Sequence, residues 1–309
     1  MNILVWAILC LLWGTTWIFI KIGLTDLPPI TFAAVRFILA ILILLPVIKL
    51  RRLPWPSSSA EWKMIALTGF LQFSLNYSSV FWAEQHITSG LAAVLQAMIP
   101  VFGLLLAWIF LPAERITWFK ILAVLLGVIG VAVIFIDQLR IENWMAFLAC
   151  VAIVAGAYCA AQASILVKLR AGEIHPASLV CAQMMAGLPA LVIYALIAEG
   201  NPLTLKWTWT SVGCVLYLTL FGTIAAFWLY YWLLSRIEST KAMVISLVTP
   251  LIAVVIGGIF LGERLPPQTL LGGILIIASI ALIVTRRRAK TYHGLTTDET
   301  DVLQIHNSG

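Results

Sequence analysis

The chain has 309 residues, of which 62% are hydrophobic and only 10% are charged, and its mean hydropathy is +1.04. Soluble domains usually carry about a quarter charged residues, so this composition excludes an ordinary soluble protein. The apolar residues occur in runs of roughly 18–22, long enough to cross a hydrocarbon core about 30 Å thick. Runs such as 101–110 and 274–284 do not alternate polar with apolar residues, which excludes the strands of a membrane β-barrel. The sequence therefore predicts an all-α integral membrane protein.

Ten transmembrane helices are predicted, and short loops join them. In chain order they occupy residues 3–22, 30–49, 62–83, 88–111, 116–136, 144–167, 176–198, 209–234, 240–261 and 266–285. The first apolar run lacks a basic leader and a small-residue cleavage site, so it is predicted to be a retained span rather than a signal peptide. The polar segment 286–309 has too little apolar surface to fold, and we expect it to form a disordered cytosolic tail.

The positions of Lys and Arg predict the orientation of these spans. With the N-terminus inside, fourteen basic residues fall in the inner loops and tail, and four fall in the outer loops: Lys21, Arg140, Lys206 and Arg264. Positively charged loops stay on the cytoplasmic side, so both termini are expected to be cytoplasmic, in a cell (inner) membrane. This distribution also accounts for the net charge of +6 without a nucleic-acid partner.

The second half of the chain repeats the first. An offset of 150 residues aligns Trp82 with Trp232 and Pro100 with Pro250, and Glu114-Arg115 matches Glu263-Arg264 after one further residue. Each half holds five predicted spans, and because five is odd the second half enters the membrane from the opposite side. The sequence thus predicts two inverted five-helix repeats, 1–137 and 138–285. Transporters often have this architecture, with the solute site near the midplane between the repeats.

Several motifs resemble the drug/metabolite transporter superfamily, specifically its EamA-type ten-span members. The resemblance covers about residues 3–285 and rests on these segments: Trp13-Gly14-Thr15-Thr16-Trp17 leading to Lys21, Pro28-Pro29 followed by Arg36-Phe37, Ala83-Glu84-Gln85-His86, Ser89-Gly90-Leu91-Ala92-Ala93, Pro100, and Gly262-Glu263-Arg264. It implies a secondary transporter of small metabolites, amino acids or drugs that works by alternating access. Members of this family often move their solutes out of the cell. The resemblance leaves the individual solute open.

Polar side chains inside the apolar runs are the candidate solute-binding residues. Such side chains normally face the interior of a helix bundle, where they either line a cavity or hydrogen-bond between helices. Spacings of three or four residues place several of them on common helix faces. The uncharged candidates are Trp13, Thr16, Trp17, Gln72, Asn76, Gln96, Tyr158 and Gln162.

Two charged candidates, Arg36 and Glu84, lie within or beside the apolar runs. A charge inside a membrane is costly and marks a functional residue by default. Arg36 either contacts solute or is a structural residue that snorkels outward or caps carbonyl groups, and Glu84 is a possible partner for it. Glu84 either binds a proton or cationic group or simply lies in the loop with His86.

Pro100 and Pro250 occupy equivalent positions in the two halves, where proline removes a backbone hydrogen bond. They are either hinges for a conformational change or static kinks. The five cysteines form no CxxC pair and the four histidines have no ligand spacing, so neither a metal nor a cofactor is predicted.

Three classes of function remain: transporter, membrane enzyme and channel. The sequence has no HExxH, GxSxG or phosphate-loop motif, which argues against an enzyme. It also lacks the charged rings and filter segments of channels. The expected partners are a small-molecule solute and the lipid bilayer, with the protein acting as a monomer or homodimer.

Overall fold

The computed structural model describes residues 1–172, 174–201, 205, 207–260 and 267–285. Over these residues the chain forms helices and no strands. The helical segments are α1 (Asn2–Gly23), α2 (Pro29–Leu50), α3 (Ser59–Gly69, Phe70–Asn76 and Tyr77–Ala83), α4 (Ser89–Gln96 and Ile99–Phe110), α5 (Trp118–Ile134), α6 (Trp144–Arg170), α7 (Pro176–Ala198), α8 (Trp209–Tyr217, Leu218–Ala225 and Ala226–Leu234), α9 (Ser239–Met243 and Ile245–Phe260) and α10 (Pro267–Thr285).

The helices have the length and surface of membrane spans, which confirms the all-α membrane class. In the described part of the chain, seven helices are long and apolar enough to cross a bilayer, and α5 and α10 are shorter apolar helices. Large apolar side chains point away from the bundle along them, as lipid contact requires, among them Leu42, Trp108, Ile193 and Ile274. α3 is not among these helices, because Glu61, Lys63 and its amide and hydroxyl residues lower its hydropathy.

Helices α3 and α8 carry the same irregularity. Each contains a π-helical stretch, at Phe70–Asn76 in α3 and at Leu218–Ala225 in α8. A π-helical stretch shifts the side chains that follow it around the helix axis, and such stretches often occur at functional sites. Gln72 and Asn76 lie in the first stretch, and Gly222 lies in the second.

Helices α4 and α9 are both interrupted near their starts. The first segment of α4 ends at Gln96, four residues before Pro100, whose nitrogen cannot donate to the Gln96 carbonyl. In α9 the interruption falls at Val244, and Pro250 lies within the second segment. Pro250 leaves the Ser246 carbonyl without its helical donor, and the Thr249 hydroxyl donates to that carbonyl at 3.4 Å.

Each helix contact between the halves has a counterpart in which the corresponding helix of the other half takes the same place. α1 packs along α9, and the equivalent helices α6 and α4 pack along each other. α2 packs on α7, and α5 on α10, so these helices pair with their own counterparts. The two halves are therefore interleaved rather than side by side, and the residues at their interface come from both.

Two helix contacts, α5 on α10 and α3 on α7, depend on glycine. A Cβ on Gly130 of α5 would lie 2.8 Å from the Gly272 carbonyl oxygen of α10, and a Cβ on Gly272 would lie 2.5 Å from the Gly130 carbonyl oxygen. A Cβ on Gly69 of α3 would lie 2.3 Å from the Gln183 carbonyl oxygen of α7. Small residues allow such close backbone approach in membrane helices.

An acidic side chain of the second half caps a helix of the first. The Glu199 carboxylate, after α7, accepts hydrogen bonds from the backbone nitrogens of Ile30 at 2.8 Å and Thr31 at 2.6 Å. It also accepts a hydrogen bond from the Thr31 hydroxyl at 2.7 Å. Negative charge at a helix N-terminus is favourable, so Glu199 fixes the start of α2 against the end of α7. The predicted tail 286–309 and the Gly262-Glu263-Arg264 motif lie outside the described residues.

Candidate functional site

A cavity of about 230 Å³ lies in the bundle between the two halves of the chain. Residues of α1–α4 line it from the first half, and residues of α6, α8 and α9 line it from the second. Its lining comprises Trp13, Thr16, Trp17, Ile20, Arg36, Gln72, Asn76, Tyr77, Val80, Phe81, Glu84, Ala93, Gln96, Ile99, Ala160, Ser164, Gly222, Phe227, Tyr230, Ala242, Met243, Ile245, Ser246, Thr249 and Pro250.

Eight of the ten residues predicted to bind solute are part of this lining: Trp13, Thr16, Trp17, Arg36, Gln72, Asn76, Glu84 and Gln96. Tyr158 is not part of it. Its side chain is 43% exposed, and its ring packs edge-on against Phe102 at 5.6 Å. Gln162 also lies outside the lining, and its buried side-chain oxygen has no hydrogen-bond partner among the described residues.

Arg36 is almost fully buried, with 4% of its surface exposed. Its Nη2 donates a hydrogen bond to the Tyr77 hydroxyl at 2.8 Å. Glu84, its possible partner by sequence, does not pair with it, because no carboxylate among the described residues lies within ion-pair distance of Arg36. Tyr77 and Glu84 are seven residues apart, about 10 Å along a helix, so a guanidinium beside Tyr77 is far from the end of α3.

Aromatic side chains form one wall of the cavity. The Trp13 ring lies 5.5 Å from the Phe227 ring and 5.3 Å from the Tyr230 ring, and Trp13 Nε1 donates to the Gly222 carbonyl at 3.3 Å. This last bond ties α1 to the π-helical stretch of α8. Offset and edge-on ring pairs of this kind add stability beyond the area they bury.

Amide side chains form another part of the lining. Gln96 Nε2 donates to Asn76 Oδ1 at 3.2 Å, joining α4 to the π-helical stretch of α3. These two amides therefore line the cavity and also hydrogen-bond between helices, so the two interpretations that the sequence left open both hold for them.

Tyr230 and Ser164 are lining residues that the sequence analysis missed. The Tyr230 hydroxyl donates to Ser164 Oγ at 3.1 Å, and Ser164 Oγ donates to the Ala160 carbonyl at 3.0 Å. Both side chains are buried. Tyrosine and serine are common in the predicted spans, and six other hydroxyl side chains occur in the span that contains Tyr230, so the sequence carried no signal that singled out these two residues.

Glu84 lies at one end of the cavity, immediately after Ala83, the last residue of α3. Within the described part of the chain, its carboxylate has no ion-pair partner. Burial therefore acts on it unopposed and raises the pKa of Glu84 to about 7. A carboxyl group with this pKa exchanges its proton near neutral pH.

The two prolines occupy different positions relative to the cavity. Pro250 lines it, whereas Pro100 is buried in α4 at the start of the segment that follows the interruption. Pro100 directly follows the interruption of α4, whereas Pro250 lies six residues after the interruption at Val244 in α9.

A cluster of charged residues ties the helices together at the end of the cavity lined by Ala242. The Glu114 carboxylate accepts from Ser239 N at 2.9 Å and from Ser239 Oγ at 2.6 Å. Lys168 Nζ lies 3.3 Å from Glu114 Oε1 and donates to the Leu234 carbonyl at 2.8 Å. Because Ser239 is three residues before Ala242, this cluster holds the start of α9 in place.

The groups that line the cavity can bind a small solute. The described lining has one cation, one carboxylate, several amides and hydroxyls, and aromatic walls. Among the described residues, no group of three or more His, Cys, Asp or Glu side chains could hold a metal ion. Such a site suits a small solute with polar and apolar parts.

Proteins similar in sequence to this chain are named as transporters. The chain is 24% identical over 271 residues to "Uncharacterized transporter YoaV" of Bacillus subtilis, covering 87% of this chain and 92% of that protein. It is 29% identical to "Uncharacterized inner membrane transporter YedA" of Escherichia coli K12, covering 89% and 88%. It is 30% identical to "Probable terminal-alkyne amino-acid exporter" of Streptantibioticus cattleyicolor, covering 72% and 73%.

A solved crystal structure has the same fold, with a TM-score of 0.77 over 92% of this chain and 96% of that chain at 17% sequence identity. The sequence profile of the EamA-like transporter family matches residues 1–136 and again residues 147–285. Both halves of the cavity lining therefore fall within matched segments. The chain belongs to the EamA-like transporter family.

Proposed function

We propose that the protein is a secondary transporter that exports small metabolites, amino acids or drugs by alternating access. The observation that carries this proposal is the cavity between the halves, to which both contribute side chains. A solute bound there would contact α1–α4 on one side and α6, α8 and α9 on the other. A relative shift of the halves would then close one mouth and open the other around the same site.

The moving parts of this mechanism are two inverted repeats of five transmembrane helices, 1–137 and 138–285. The proposal is supported by the exchange-related packing of α1 on α9 and of α6 on α4. It is also supported by the equivalent π-helical stretches in α3 and α8. If each repeat has five spans, the two halves run in opposite directions through the membrane.

In this mechanism the protein lies in the inner membrane with both termini in the cytoplasm. The excess of Lys and Arg in the loops on that side supports this orientation. The cluster at Glu114, Lys168 and Ser239 then lies at the cytoplasmic end of the cavity. A reporter fused after residue 309 should be active in the cytoplasm, and activity outside the cell would refute the orientation.

A channel is the alternative for this architecture. The charged cluster beside Ala242 favours the transporter, because it ties helices of the two halves together across one end of the cavity. A membrane enzyme would need an activated nucleophile or acid–base pair, and Arg36 does not have a carboxylate partner among the described residues. The relatives' names also indicate transport.

Blocking the cavity tests the proposal. Thr249 lines it and is buried, so Thr249→Trp should fill the space that solute needs and abolish saturable flux in proteoliposomes. Thr117→Trp makes the same change at an exposed position and should leave the flux unchanged. Equal flux through both variants would show that solute does not pass through this cavity.

A further inference from the structure

The guanidinium of Arg36 is the cationic group in the described lining of the cavity. It is buried, and its Nε has no hydrogen-bond partner among the described residues. Arginine does not lose its charge in proteins. A buried, charged donor without an acceptor is energetically costly. A ligand that supplies an acceptor to Arg36 would remove this cost.

The neighbours of Arg36 orient the guanidinium without neutralising it. Its Nη2 is held by the Tyr77 hydroxyl at 2.8 Å, and its Cζ lies 5.2 Å from the Phe37 ring and 5.3 Å from the Tyr77 ring. Ring faces attract a cation but present no oxygen to its donors. The charge is therefore stabilised in position, while its capacity for charge-assisted hydrogen bonds remains available.

We propose that Arg36 binds the carboxylate of the transported solute, so that the substrates are small monocarboxylates with an apolar body. This deepens the proposed function and rests on it. The planar guanidinium matches a carboxylate in two parallel hydrogen bonds. Tyr77 is the positioning residue, because its hydroxyl fixes the orientation of the guanidinium.

The electrostatics of the cavity favour one negative charge over two. Arg36 and Glu84 are the charged residues of the described lining, with opposite signs. A dianion such as a phosphate monoester would leave a charge uncompensated by Arg36 and would be repelled by ionised Glu84. Arg36 neutralises a monocarboxylate, which leaves no uncompensated charge and reduces the repulsion from Glu84, and a zwitterion could in addition present its ammonium group towards Glu84.

The size and walls of the cavity limit the rest of the solute. A cavity of about 150 Å³ lined by apolar side chains accommodates benzene, so about 230 Å³ leaves room for a small hydrocarbon group and one polar head. Trp13, Phe227 and Tyr230 form the apolar wall for that group. The hydrocarbon part therefore contributes affinity, and Arg36 selects the head group.

Four solutes with one branched hydrocarbon body separate these contributions: 4-methylpentanoate carries a carboxylate alone, leucine a carboxylate and an ammonium, isopentylamine an ammonium alone, and leucinol an ammonium and a hydroxyl. Binding to the purified full-length protein can be followed by tryptophan fluorescence, because Trp13 and Trp17 line the cavity. We expect the two carboxylates to bind at least about tenfold more tightly than the two solutes without one. Equal or tighter binding of isopentylamine would overturn the proposal, as would failure of the folded protein to bind either carboxylate.

Variants of Arg36 link that preference to its side chain. Arg36→Gln should lose the preference for carboxylates and keep its affinity for leucinol, and Arg36→Lys should keep part of the preference. Arg236→Gln makes the same change at an exposed arginine that stacks on Trp232, and it should bind all four solutes as the wild type does. Tyr77→Phe retains the charge but frees the guanidinium, so it should weaken carboxylate binding while leaving leucinol unaffected.

Folding and transport are measured separately from this preference. Size-exclusion profiles and melting temperatures show whether Arg36→Gln folds. If it does not fold, Tyr77→Phe tests whether Arg36 sets the preference for carboxylates. An unchanged carboxylate preference in folded Tyr77→Phe and Arg36→Lys would contradict the role of Arg36. Counterflow of isopentylamine without counterflow of either carboxylate would overturn the carboxylate proposal and leave the transporter intact. Carboxylate-selective binding without counterflow would support the role of Arg36 and contradict the proposal that the protein is a transporter.

Discussion

Glu114 and Lys168 form an ion pair that joins the two halves of the chain, with Lys168 Nζ 3.3 Å from Glu114 Oε1. Glu114 is 8% exposed, and the same carboxylate accepts hydrogen bonds from Ser239, the first residue of α9. Loss of one partner from a buried pair costs about 3–5 kcal/mol, because the other charge is left uncompensated. The pair therefore stabilises the arrangement in which this end of the cavity is tied together.

Removing this carboxylate should open that end of the cavity. Ala242 lines the cavity three residues after Ser239, so a cysteine at position 242 reports on access. In Glu114→Gln, we expect a membrane-impermeant thiol reagent applied from the Lys168 side to label Ala242→Cys at least about tenfold faster than in the parent, since part of the stability of the pair is lost.

Glu238→Gln is the control for this experiment. Glu238 pairs with Lys120 at 3.4 Å and Lys241 at 3.2 Å, and its side chain is 20% exposed against 8% for Glu114, so solvent screens these pairs more than it screens the Glu114 pair. It should change the labelling rate little. Equal labelling in Glu114→Gln and its parent would show that the Glu114 pair does not close the cavity.

Transport should depend on pH through Glu84. Because burial raises the pKa of this carboxyl group to about 7, its charge changes between about pH 6 and 8. Flux measured across that range should change in the wild type, and Glu84→Gln should flatten the profile. Glu142→Gln, at an exposed loop carboxylate, is the matched control and should retain the wild-type profile. A profile unaltered by Glu84→Gln would assign the titration to another group.

Ionisation of Glu84 should also lower stability. Its folded-state pKa lies above the usual value of 4.5, so the folded protein binds more protons than the unfolded chain between about pH 4.5 and 7. The free energy of unfolding therefore falls as pH rises through this window. Above it, the contribution of Glu84 no longer changes with pH. The melting temperature of the wild type relative to Glu84→Gln should decline from pH 5 to pH 8, and a rising difference would contradict the assignment.

Close packing of α3 on α7 should be sensitive to a single methyl group. In Gly69→Ala the added Cβ would lie 2.3 Å from the backbone oxygen of Gln183, and backbone cannot move aside as a flexible side chain can. We expect a loss of about 1–3 kcal/mol in stability, measured as a lower melting temperature. Gly213→Ala has open space around its Cβ and should be neutral or gain up to about 1 kcal/mol. Equal melting temperatures for the two variants would contradict the close packing.

The positions of the helices could be predicted from the sequence because each is a long apolar run bounded by charged or turn residues. α2 was predicted at 30–49 and extends over Pro29–Leu50, and α7 was predicted at 176–198 and begins and ends at those residues. In hydrocarbon, backbone groups must be hydrogen-bonded internally, so long apolar runs form helices with little influence from tertiary context. The interruptions in α4 and α9 and the π-helical stretches are local changes in backbone hydrogen bonding, and the hydropathy of the sequence does not predict them.

The lining of the cavity was less predictable because it depends on how each helix is rotated. Tyr158 and Gln162 share a face of α6 by their spacing, but the spacing does not say whether that face meets the cavity. The structure turns Tyr158 towards Phe102 and presents Ser164 instead. Likewise, the sequence identified Arg36 as unusual, but its contact with Tyr77 rather than Glu84 follows from the packing of α2 against α3.

Counterflow distinguishes alternating access through the cavity between the two halves from passage through a channel. Proteoliposomes are loaded with an excess of the unlabelled solute that the protein binds most tightly, and a trace of labelled solute is added outside. For alternating access we expect a transient accumulation of label above its equilibrium level, saturable with concentration, which Thr249→Trp abolishes. A monotonic approach to equilibrium at a rate proportional to concentration would contradict it and indicate a channel.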